Sequence, residues 1–446
     1  MAKLCVLVDP GAEGPNDCCG SVNRLIALLD GQRVGTVEQL KGGELSFTYS
    51  DEWRALRDAY PLSLSMPIGR QDHSDPAVRA FLEGLLPDNR DVLRRWGREF
   101  HVSPRNPFAL LTHMGEDCAG AVQFTVPERA SLLVAAEGDV EWLSEEDIAA
   151  RLEDLIESHG TGRLPTDHGQ FSLAGAQPKT ALFQQDGRWG IPSGAVPTTH
   201  ILKPPAQRHF DSFEINEHFC LNLAARLGLA AAKSSIKRFG DHSAIVVERY
   251  DRRRVEGGRV LRVHQEDACQ ALAVPPWTKY ENEGGPGVPQ IVDLLLRESS
   301  DPAADVGAFI DAIVLNWVIA GTDGHAKNYS VLISPYGVRL APLYDLLCAL
   351  PYDREIPYRK AKLAMRIDRE YHLWKIRGRH WTGLAARCDL DPQPLLQRTA
   401  ELLMEIPTAA AETAEIVRRD GFSGSFLDRL EEAIVDHSVE CLNRLD

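Results

Sequence analysis

The chain has 446 residues, which is too long for one ordinary domain and predicts two or three. Its residues are 44% apolar and 25% charged, as in folded globular proteins, which excludes extensive disorder. The formal charge of -15 excludes a general coat for nucleic acid, which needs a basic surface, but is compatible with a local basic patch.

The sequence contains no run of roughly 18 uninterrupted apolar residues, the length needed to span a bilayer. Its first residues, MAKLCVLVDPGAEG, bring acidic, glycine and proline residues too early for the apolar region of a signal peptide. The nine cysteines are scattered and none forms a C-x-x-C pair, which is typical of reduced thiols. We therefore expect a cytoplasmic protein without a membrane partner.

The first part of the chain mixes strand-like and helical patterns. LIALLDGQRVGTVEQL predicts two strands around an Asp-Gly-Gln turn, and DPAVRAFLEGLLPD predicts a helix that is ended by Pro87. A charged stretch that contains proline, residues 126–145, makes the best domain boundary. Residues 1–126 are therefore expected to form a separate subdomain.

The middle of the chain is rich in strand patterns. KTALFQ and WGIP flank a turn, THILKP predicts a further strand, and KSSIKRF and SAIVVER predict a second hairpin. Between these strands, FEINEHFCLNLAARLGL has apolar residues at helical spacing and Gly228 as its stop. We expect residues 127–264 to form a strand-rich lobe that carries one helix.

Helical patterns dominate in residues 265–446. The exceptions are YSVLI and GVRLAP, which flank a Ser-Pro-Tyr-Gly turn. VGAFIDAIVLNWVIA, residues 306–320, predicts a helix that is buried on nearly every side. A strand-rich lobe followed by a helical lobe is an α+β arrangement with a natural cleft.

AGTDGHAKNYS, directly after that apolar helix, concentrates ionisable residues. Asp323 and Asn328 form a D-x-x-x-x-N pair, and Asp345 follows the next hairpin. Phosphoryl transfer needs this set, because one carboxylate accepts a hydroxyl proton while an Asn and an Asp hold Mg²⁺. A purely structural interpretation is also open, since polar clusters commonly cap helices and satisfy turns. His325 suggests a transition-metal site, but with Lys327 it fits a phosphate contact or a loop brace better.

Two upstream segments are candidates for a nucleotide site. FSLAGAQPKTAL, residues 171–182, is either a small-residue loop whose N–H groups cradle phosphates or an ordinary turn. Lys203 lies in the strand HILK, where it either pairs with phosphates or faces water from an edge strand. Glu217 and Glu214 of the following helix are its candidate partners. The segment from Glu248 to Tyr250 is placed to bind adenine through backbone hydrogen bonds.

One basic run interrupts the acidic composition of the chain. YRKAKLAMRIDREYHLWKIRGRHW, residues 358–381, holds far more Lys and Arg than Asp and Glu. It is either a solvated helix face or a patch for a phosphate backbone or an acidic partner.

Together these segments resemble the HipA family, the serine/threonine kinase toxins of bacterial HipBA toxin–antitoxin modules. The resemblance is carried, in family order, by SLAGAQPKTAL, PTTHILK, VERYDRR, HQEDACQAL, KYENEGGPG, GTDGHAKNYS and PLYDLL. RVGTVEQL, PLSLSMP, FLEGLLPDN and GAVQF extend it over nearly the full length. It implies a protein-kinase-like two-lobed fold with a strand-rich N-lobe, a helical C-lobe and an additional N-terminal α/β subdomain.

The resemblance implies a role for each candidate residue, with ATP and Mg²⁺ as cofactors. Asp323 would be the catalytic base, and Asn328 and Asp345 would hold Mg²⁺. Ser172 would be the autophosphorylation site, whose phosphate ejects the loop and switches the kinase off. The nucleotide site would consist of Ala174, Gly175, Ala176, Gln177, Pro178, Lys179, Lys203, Glu248, Arg249, Tyr250, His325, Ala326, Lys327, Asn328, Tyr344 and Asp345. Pro178 departs from the polar or acidic residue expected there, and G-x-G-x-x-G, H-R-D and D-F-G are absent from the sequence.

The resemblance also implies partners. A HipB-type helix-turn-helix antitoxin dimer would neutralise the chain, and operator DNA would approach Lys375, Arg377, Arg379 and His380. The protein substrate would be an aminoacyl-tRNA synthetase such as glutamyl-tRNA synthetase, whose phosphorylation arrests growth and produces persistence. Two alternatives stay open: a catalytically weak corepressor module, and a metal-dependent phosphohydrolase built on Asp323, His325 and Asp345.

Overall fold

The computed structural model describes residues 23–158, 172, 174–175, 177–205 and 212–446. In this part of the chain, two larger antiparallel sheets are followed by a region of packed helices that also carries three small sheets. Within the same residues, no helix combines the length and the apolar character that crossing a membrane requires.

Residues 23–125, the N-terminal unit, form a five-stranded sheet with helices packed against it. Its strands are β1 (Arg24–Leu29), β2 (Gln32–Gln39), β3 (Leu45–Tyr49), β4 (Asp72–Ser74) and β5 (Val122–Thr125). Its helices are α1 (Asp51–Arg54), α2 (Ala77–Gly84), α3 (Arg90–Glu99) and α4 (Pro107–Met114). The β1–β2 pairing confirms the predicted hairpin. Helix α2 confirms the helix predicted before Pro87, although it already ends at Gly84.

The second sheet has six strands in the order β10-β11-β9-β7-β8-β6. Its strands are β6 (Gly138–Leu143), β7 (Thr180–Gln185), β8 (Arg188–Gly194), β9 (His200–Lys203), β10 (Ser234–Phe239) and β11 (His242–Glu248). The helices of this region are α5 (Ala130–Val134), α6 (Glu145–Ser158) and α7 (Phe213–Arg226). Both predicted hairpins and the helix before Gly228 are confirmed. Strand β9 lies inside the sheet, which excludes the edge-strand interpretation of Lys203.

The remaining elements belong to the helical region. Its strands are β12 (Arg252–Arg254), β13 (Val260–Arg262), β14 (His264–Asp267), β15 (Ser330–Ser334), β16 (Gly337–Leu340), β17 (Lys362–Ile367) and β18 (Glu370–His372). Its helices are α8 (Ala268–Ala271), α9 (Val288–Glu298), α10 (Pro302–Val318), α11 (Gly378–Arg387), α12 (Pro392–Arg419) and α13 (Ser425–Asn443). The predicted apolar helix is α10, and its Phe309 and Trp317 are fully buried. It begins earlier than predicted because the Asp301 carboxylate caps its first turn.

A buried ionic cluster fastens the N-terminal unit to the second sheet. Asp117 accepts hydrogen bonds from Arg252 Nη2 at 2.9 Å and from Arg249 Nη1 at 3.4 Å. Arg249 also donates to Asp251 at 2.8 Å. Since these charges are removed from water and compensate one another, loss of any single member leaves a buried charge unpaired. The cluster therefore holds the segment after β11 in a fixed place.

Candidate active site

A cavity of about 460 Å³ lies between the second sheet and the helical region. The predicted site residues that line it are Ala174, Gly175, Gln177, Lys179, Lys203, Glu248, Arg249, Tyr250, Asp323, His325, Lys327, Asn328, Tyr344 and Asp345. Pro178 and Ala326 are described but do not line it, and Ala176 lies outside the described residues. The structure thus gathers residues from distant parts of the chain around one space.

The loop that follows α10 is anchored to the helix by Asn316. Its Nδ2 donates to Tyr329 Oη at 2.9 Å, and its backbone carbonyl accepts Gly321 N–H at 2.7 Å. A Cβ on Gly321 would stand 2.0 Å from Asn316 Oδ1, so only glycine fits there. The D-x-x-x-x-N segment therefore begins from a packed helix, which limits how far its side chains can drift.

Asp323 lies exposed at the mouth of the cavity. The hydroxyl of Tyr280 donates to its Oδ1, and the Tyr280 ring meets His325 edge-on with centroids 5.0 Å apart. Desolvation within the cleft raises the pKa of Asp323, and the Tyr280 hydrogen bond opposes that rise. Burial lowers the pKa of His325 to about 3, so His325 is neutral at pH 7.

Lys203 forms the centre of a buried ion-pair set. Its Nζ donates to Glu217 Oε1 at 2.7 Å and to Asp345 Oδ1 at 2.8 Å. Glu214, the other candidate partner, instead accepts a hydrogen bond from Ser243 at 3.2 Å. Burial opposes the charge on Lys203, but Asp345 and Glu217 outweigh it and raise the pKa of Lys203. Lys203 is therefore a fully charged ammonium at the wall of the cavity.

Asn328 and Asp345 are adjacent, as a shared ligand pair requires. Asn328 Nδ2 donates to Asp345 Oδ2 at 3.2 Å, and Asn328 Oδ1 is buried with no hydrogen-bond partner among the described residues. Burial opposes ionisation of Asp345, but Lys203 and Lys179 outweigh it and hold its pKa far below the usual range. A carboxylate beside an unsatisfied amide oxygen fits Mg²⁺, which takes few protein oxygens and keeps several waters.

Asp88 of the N-terminal unit reaches this site, which the sequence did not predict. Its two carboxylate oxygens accept from Lys327 Nζ at 2.6 Å and from Lys279 Nζ at 2.7 Å. Burial opposes ionisation of Asp88, but the two ammonium groups outweigh it and lower its pKa to about 2. Lys327 is thus held by an ion pair on the side of the N-terminal unit, where it braces the loop from Asp323 to Asn328.

Ser172 is docked on the segment that follows α2. Its hydroxyl donates to the Leu85 carbonyl at 2.8 Å, and its N–H donates to the Asp117 carbonyl at 3.0 Å. The side chain is fully buried and does not line the cavity. In this conformation Ser172 is shielded from any phosphate donor.

Gly175 and Lys179 shape the described part of the loop that is predicted to face phosphates. Gly175 has φ +106°, and a Cβ there would stand 2.5 Å from Lys179 Nζ. That Nζ donates to the Ala174 carbonyl at 3.1 Å, and the Gly175 carbonyl accepts Asp88 N–H at 3.2 Å. Burial and the neighbouring Lys203 lower the pKa of Lys179 to about 8. Glycine is therefore required at position 175, because its φ is positive and because a side chain there would collide with Lys179 Nζ.

The predicted adenine segment has two engaged backbone donors. Glu248 N–H donates to the Lys233 carbonyl at 2.8 Å, and Arg249 N–H donates to the Thr199 carbonyl at 2.9 Å. The Arg249 side chain belongs to the buried ionic cluster described above. Tyr250 and Tyr344 pack their rings with centroids 5.8 Å apart and give this end of the cavity an aromatic wall.

The basic run folds mainly as β17, β18 and a short turn before α11, so its interpretation as a helix face is wrong. Arg377 donates through Nη1 to the Trp374 and Ile376 carbonyls, and its N–H donates to His380 Nδ1 at 3.0 Å. Lys375 lies over the Trp374 ring. Arg379 is the exposed member of the predicted partner patch.

The whole fold matches a solved structure of Shewanella oneidensis HipA, taken from a complex with HipB and operator DNA. The TM-score is 0.79 at 26% identity, and the match covers 94% of this chain and 97% of that chain. The architecture and the residues around the cavity define a two-lobed, kinase-like α+β protein.

Comparisons of sequence identify the family. The HipA N-terminal domain matches residues 25–125, and the HipA-like C-terminal domain matches residues 171–412. "Putative kinase Y4mE" of Sinorhizobium fredii is 38% identical over 90% of this chain and 92% of its own length. The serine/threonine-protein kinase toxin HipA of Shewanella oneidensis is 31% identical over 83% of this chain and 86% of its own length. The chain belongs to the HipA family of serine/threonine kinase toxins.

Proposed function

We propose that the protein is a serine/threonine protein kinase that transfers the γ-phosphate of ATP to a protein hydroxyl with Mg²⁺. The observation that carries this proposal is the ion-paired set of Lys203, Glu217 and Asp345, joined through Asp345 to Asn328. Phosphoryl transfer depends on positioning and charge compensation more than on covalent chemistry. The fixed Lys203 ammonium beside the oxygen ligands of Asn328 and Asp345 supplies both positioning and charge compensation.

Lys203, the pair Asn328 and Asp345, and Asp323 have three different tasks in this reaction. Lys203 holds a permanent positive charge at the cavity wall, where it compensates phosphate oxygens. Asn328 and Asp345 would hold Mg²⁺, which neutralises the charge that develops on the phosphates. Asp323 accepts the proton of the substrate hydroxyl while the oxygen–phosphorus bond forms and the bond to the ADP oxygen breaks.

We further propose that Ser172 is the autophosphorylation site and acts as a switch. Its contact with Leu85 has to open before the hydroxyl reaches a phosphate donor. A phosphoserine carries nearly two negative charges and cannot return to a fully buried place. The phosphorylated loop therefore stays out, and the kinase is inactive until the phosphate is removed.

The partners follow from the family. We propose a cytoplasmic toxin that is neutralised by a HipB-type antitoxin, acts with it at operator DNA and phosphorylates an aminoacyl-tRNA synthetase such as glutamyl-tRNA synthetase. The named structural relative was solved with HipB and its operator DNA, which supports the first two partners. We propose domain boundaries after residues 126 and 264; the first lies between the N-terminal sheet, whose last strand ends at Thr125, and the second sheet, whose first strand begins at Gly138.

The two alternatives are less consistent with the site. A corepressor without activity has no need of a charged Lys203 flanked by two carboxylates. A metal-dependent phosphohydrolase needs several ligands around its ion, and among the described residues no three His, Cys, Asp or Glu side chains converge in that way. A kinase reaction, in contrast, gives a task to each of Lys203, Asn328, Asp345 and Asp323.

The test is transfer of labelled phosphate from [γ-³²P]ATP by the purified protein with MgCl₂. We expect label on Ser172, and its loss in Asp323→Asn and in Asp345→Asn. Asp293→Asn, on the exposed face of α9, is the matched control and should label normally. Release of free phosphate with none on the protein or on an added synthetase would contradict the proposal.

A further inference from the structure

Residues 279–281, within the motif KYENEGGPG, contact the catalytic loop without any role in the set described above. The Lys279 carbonyl accepts Ala326 N–H at 3.3 Å, which ties the segment to the short turn before Asn328. The Tyr280 ring packs edge-on against His325 at an interplanar angle of 81°. The segment therefore touches the loop from Asp323 to Asn328 at successive points.

The loop from Tyr280 to Gly287 is held in place on its other side. Glu281 accepts Arg366 N–H at 2.8 Å and forms an ion pair with Arg366 Nε at 2.8 Å. A Cβ on Gly285 would stand 2.1 Å from the Thr278 carbonyl, and one on Gly287 would stand 2.4 Å from Glu281. These close approaches make the loop a compact support rather than an open connection.

The hydroxyl of Tyr280 donates to Oδ1 of Asp323. Within the described residues, no other group donates to this carboxylate, so Oδ2 is left to accept a proton. We propose that Tyr280 is a positioning residue for the catalytic base, fixing the Asp323 carboxylate so that Oδ2 receives the proton of the substrate hydroxyl. The inference rests on the proposed kinase function and assigns a task to a residue outside its catalytic set.

The physical reason is that the Asp323 side chain is exposed at the surface of an otherwise buried loop and, among the described residues, has no second hydrogen-bond donor. A carboxylate with one oxygen fixed by a half-buried tyrosine rotates much less than a free one. Loss of a hydrogen bond to a charged group typically costs about 10- to 100-fold in the step that depends on it. The loss should fall on the rate at saturating ATP, since the Tyr280 hydroxyl contacts none of the nucleotide residues.

The experiment uses Tyr280→Phe in the full chain, which removes the hydroxyl and keeps the ring against His325. Incorporation of label from [γ-³²P]ATP is followed over a range of ATP concentrations, and nucleotide affinity is measured separately by calorimetry. The matched control is Tyr336→Phe, the same change on a side chain that is 94% exposed. We expect the maximal rate of Tyr280→Phe to fall at least about tenfold, with the half-saturating ATP concentration and the nucleotide affinity unchanged.

A second measurement separates positioning from general damage. If Tyr280 acts through Asp323, then Tyr280→Phe causes no further loss in the residual rate of Asp323→Asn. An unchanged or faster rate in Tyr280→Phe, or an equal fall in nucleotide affinity, would overturn the inference and leave the proposed function standing. Absence of transfer by the wild-type protein would remove the proposed function and the inference together.

Discussion

Replacement of Asp88 by Asn tests whether the N-terminal unit holds the catalytic loop. The carboxylate has a pKa of about 2, against 3.8 for an ordinary aspartate, because Lys327 and Lys279 overcome the effect of its burial. At about 1.36 kcal/mol for each pH unit, this difference amounts to about 2 kcal/mol of folding stability. The neutral amide in Asp88→Asn would also leave two largely buried ammonium groups without their anion, and breaking buried pairs costs about 3–5 kcal/mol.

We therefore expect Asp88→Asn to lower the free energy of unfolding in urea by about 2–4 kcal/mol. The matched control is Asp91→Asn, whose side chain is 83% exposed and pairs with Arg94. An exposed pair of this kind contributes at most about 1 kcal/mol. The rate of phosphate transfer should fall in Asp88→Asn as well, because Lys327 loses its anchor.

The pH dependence of the difference gives a second check. A carboxylate whose pKa is depressed in the folded state stabilises it above the unfolded pKa, and this contribution disappears as the pH falls through the folded value. The stability difference between wild type and Asp88→Asn should thus be constant from about pH 8 to about pH 5 and shrink below about pH 4. A loss no larger than that of Asp91→Asn, or a difference that varies in the upper part of this range, would refute the reasoning.

Three further predictions concern the cavity. Gly175→Ala should lower both the melting temperature and the rate of phosphate transfer. Gly187→Ala, at a glycine that also has positive φ but open space around it, should lower the melting temperature by a similar amount and leave the transfer rate unchanged. Equal transfer rates in the two variants would contradict this. Lys179 has a pKa of about 8, so ATP affinity by calorimetry should weaken as its ammonium deprotonates above that pH, while Lys179→Arg should show no such trend. Glu217→Gln should lower kcat/KM for ATP about tenfold or more, and Glu214→Gln on the same helix should not; similar values for both would argue against the ion-pair set.

The predicted elements that are confirmed are those whose sequence pattern lies within a short stretch of the chain. The hairpins have turn residues between alternating runs, and α10 is mostly apolar and is buried on nearly every side, so both patterns are complete within a short window. The loop from Asp323 to Asn328 directly follows α10, so its D-x-x-x-x-N pair and its supporting helix lie within one short stretch of sequence. In contrast, the basic run has no periodicity of its own, so its sequence leaves a helix face and a partner patch both open and does not indicate β17 and β18.

The contributions of Asp88 and Tyr280 could not be predicted from the residue pattern. Asp88 is 239 positions from Lys327, and Tyr280 is 43 positions from Asp323. Each reaches the site only because separate elements pack together, and a lone Asp or Tyr has no local pattern that marks such a contact. FLEGLLPDN and KYENEGGPG carry part of the resemblance to the family. That resemblance indicates these segments, but it does not indicate that the side chains of Asp88 and Tyr280 contact the site.

The segment from Leu85 to Asp88 contacts Ser172, Lys327 of the loop after α10, and Lys279 of the segment that packs against that loop. The N-terminal unit therefore forms part of the wall of the cavity, and it cannot be exchanged like an independent module. A chimera that joins the N-terminal unit of one relative to the kinase lobes of another should be active only if the contacts of residues 85–88 are preserved. We expect recombination within the family to keep the two sides of these contacts together.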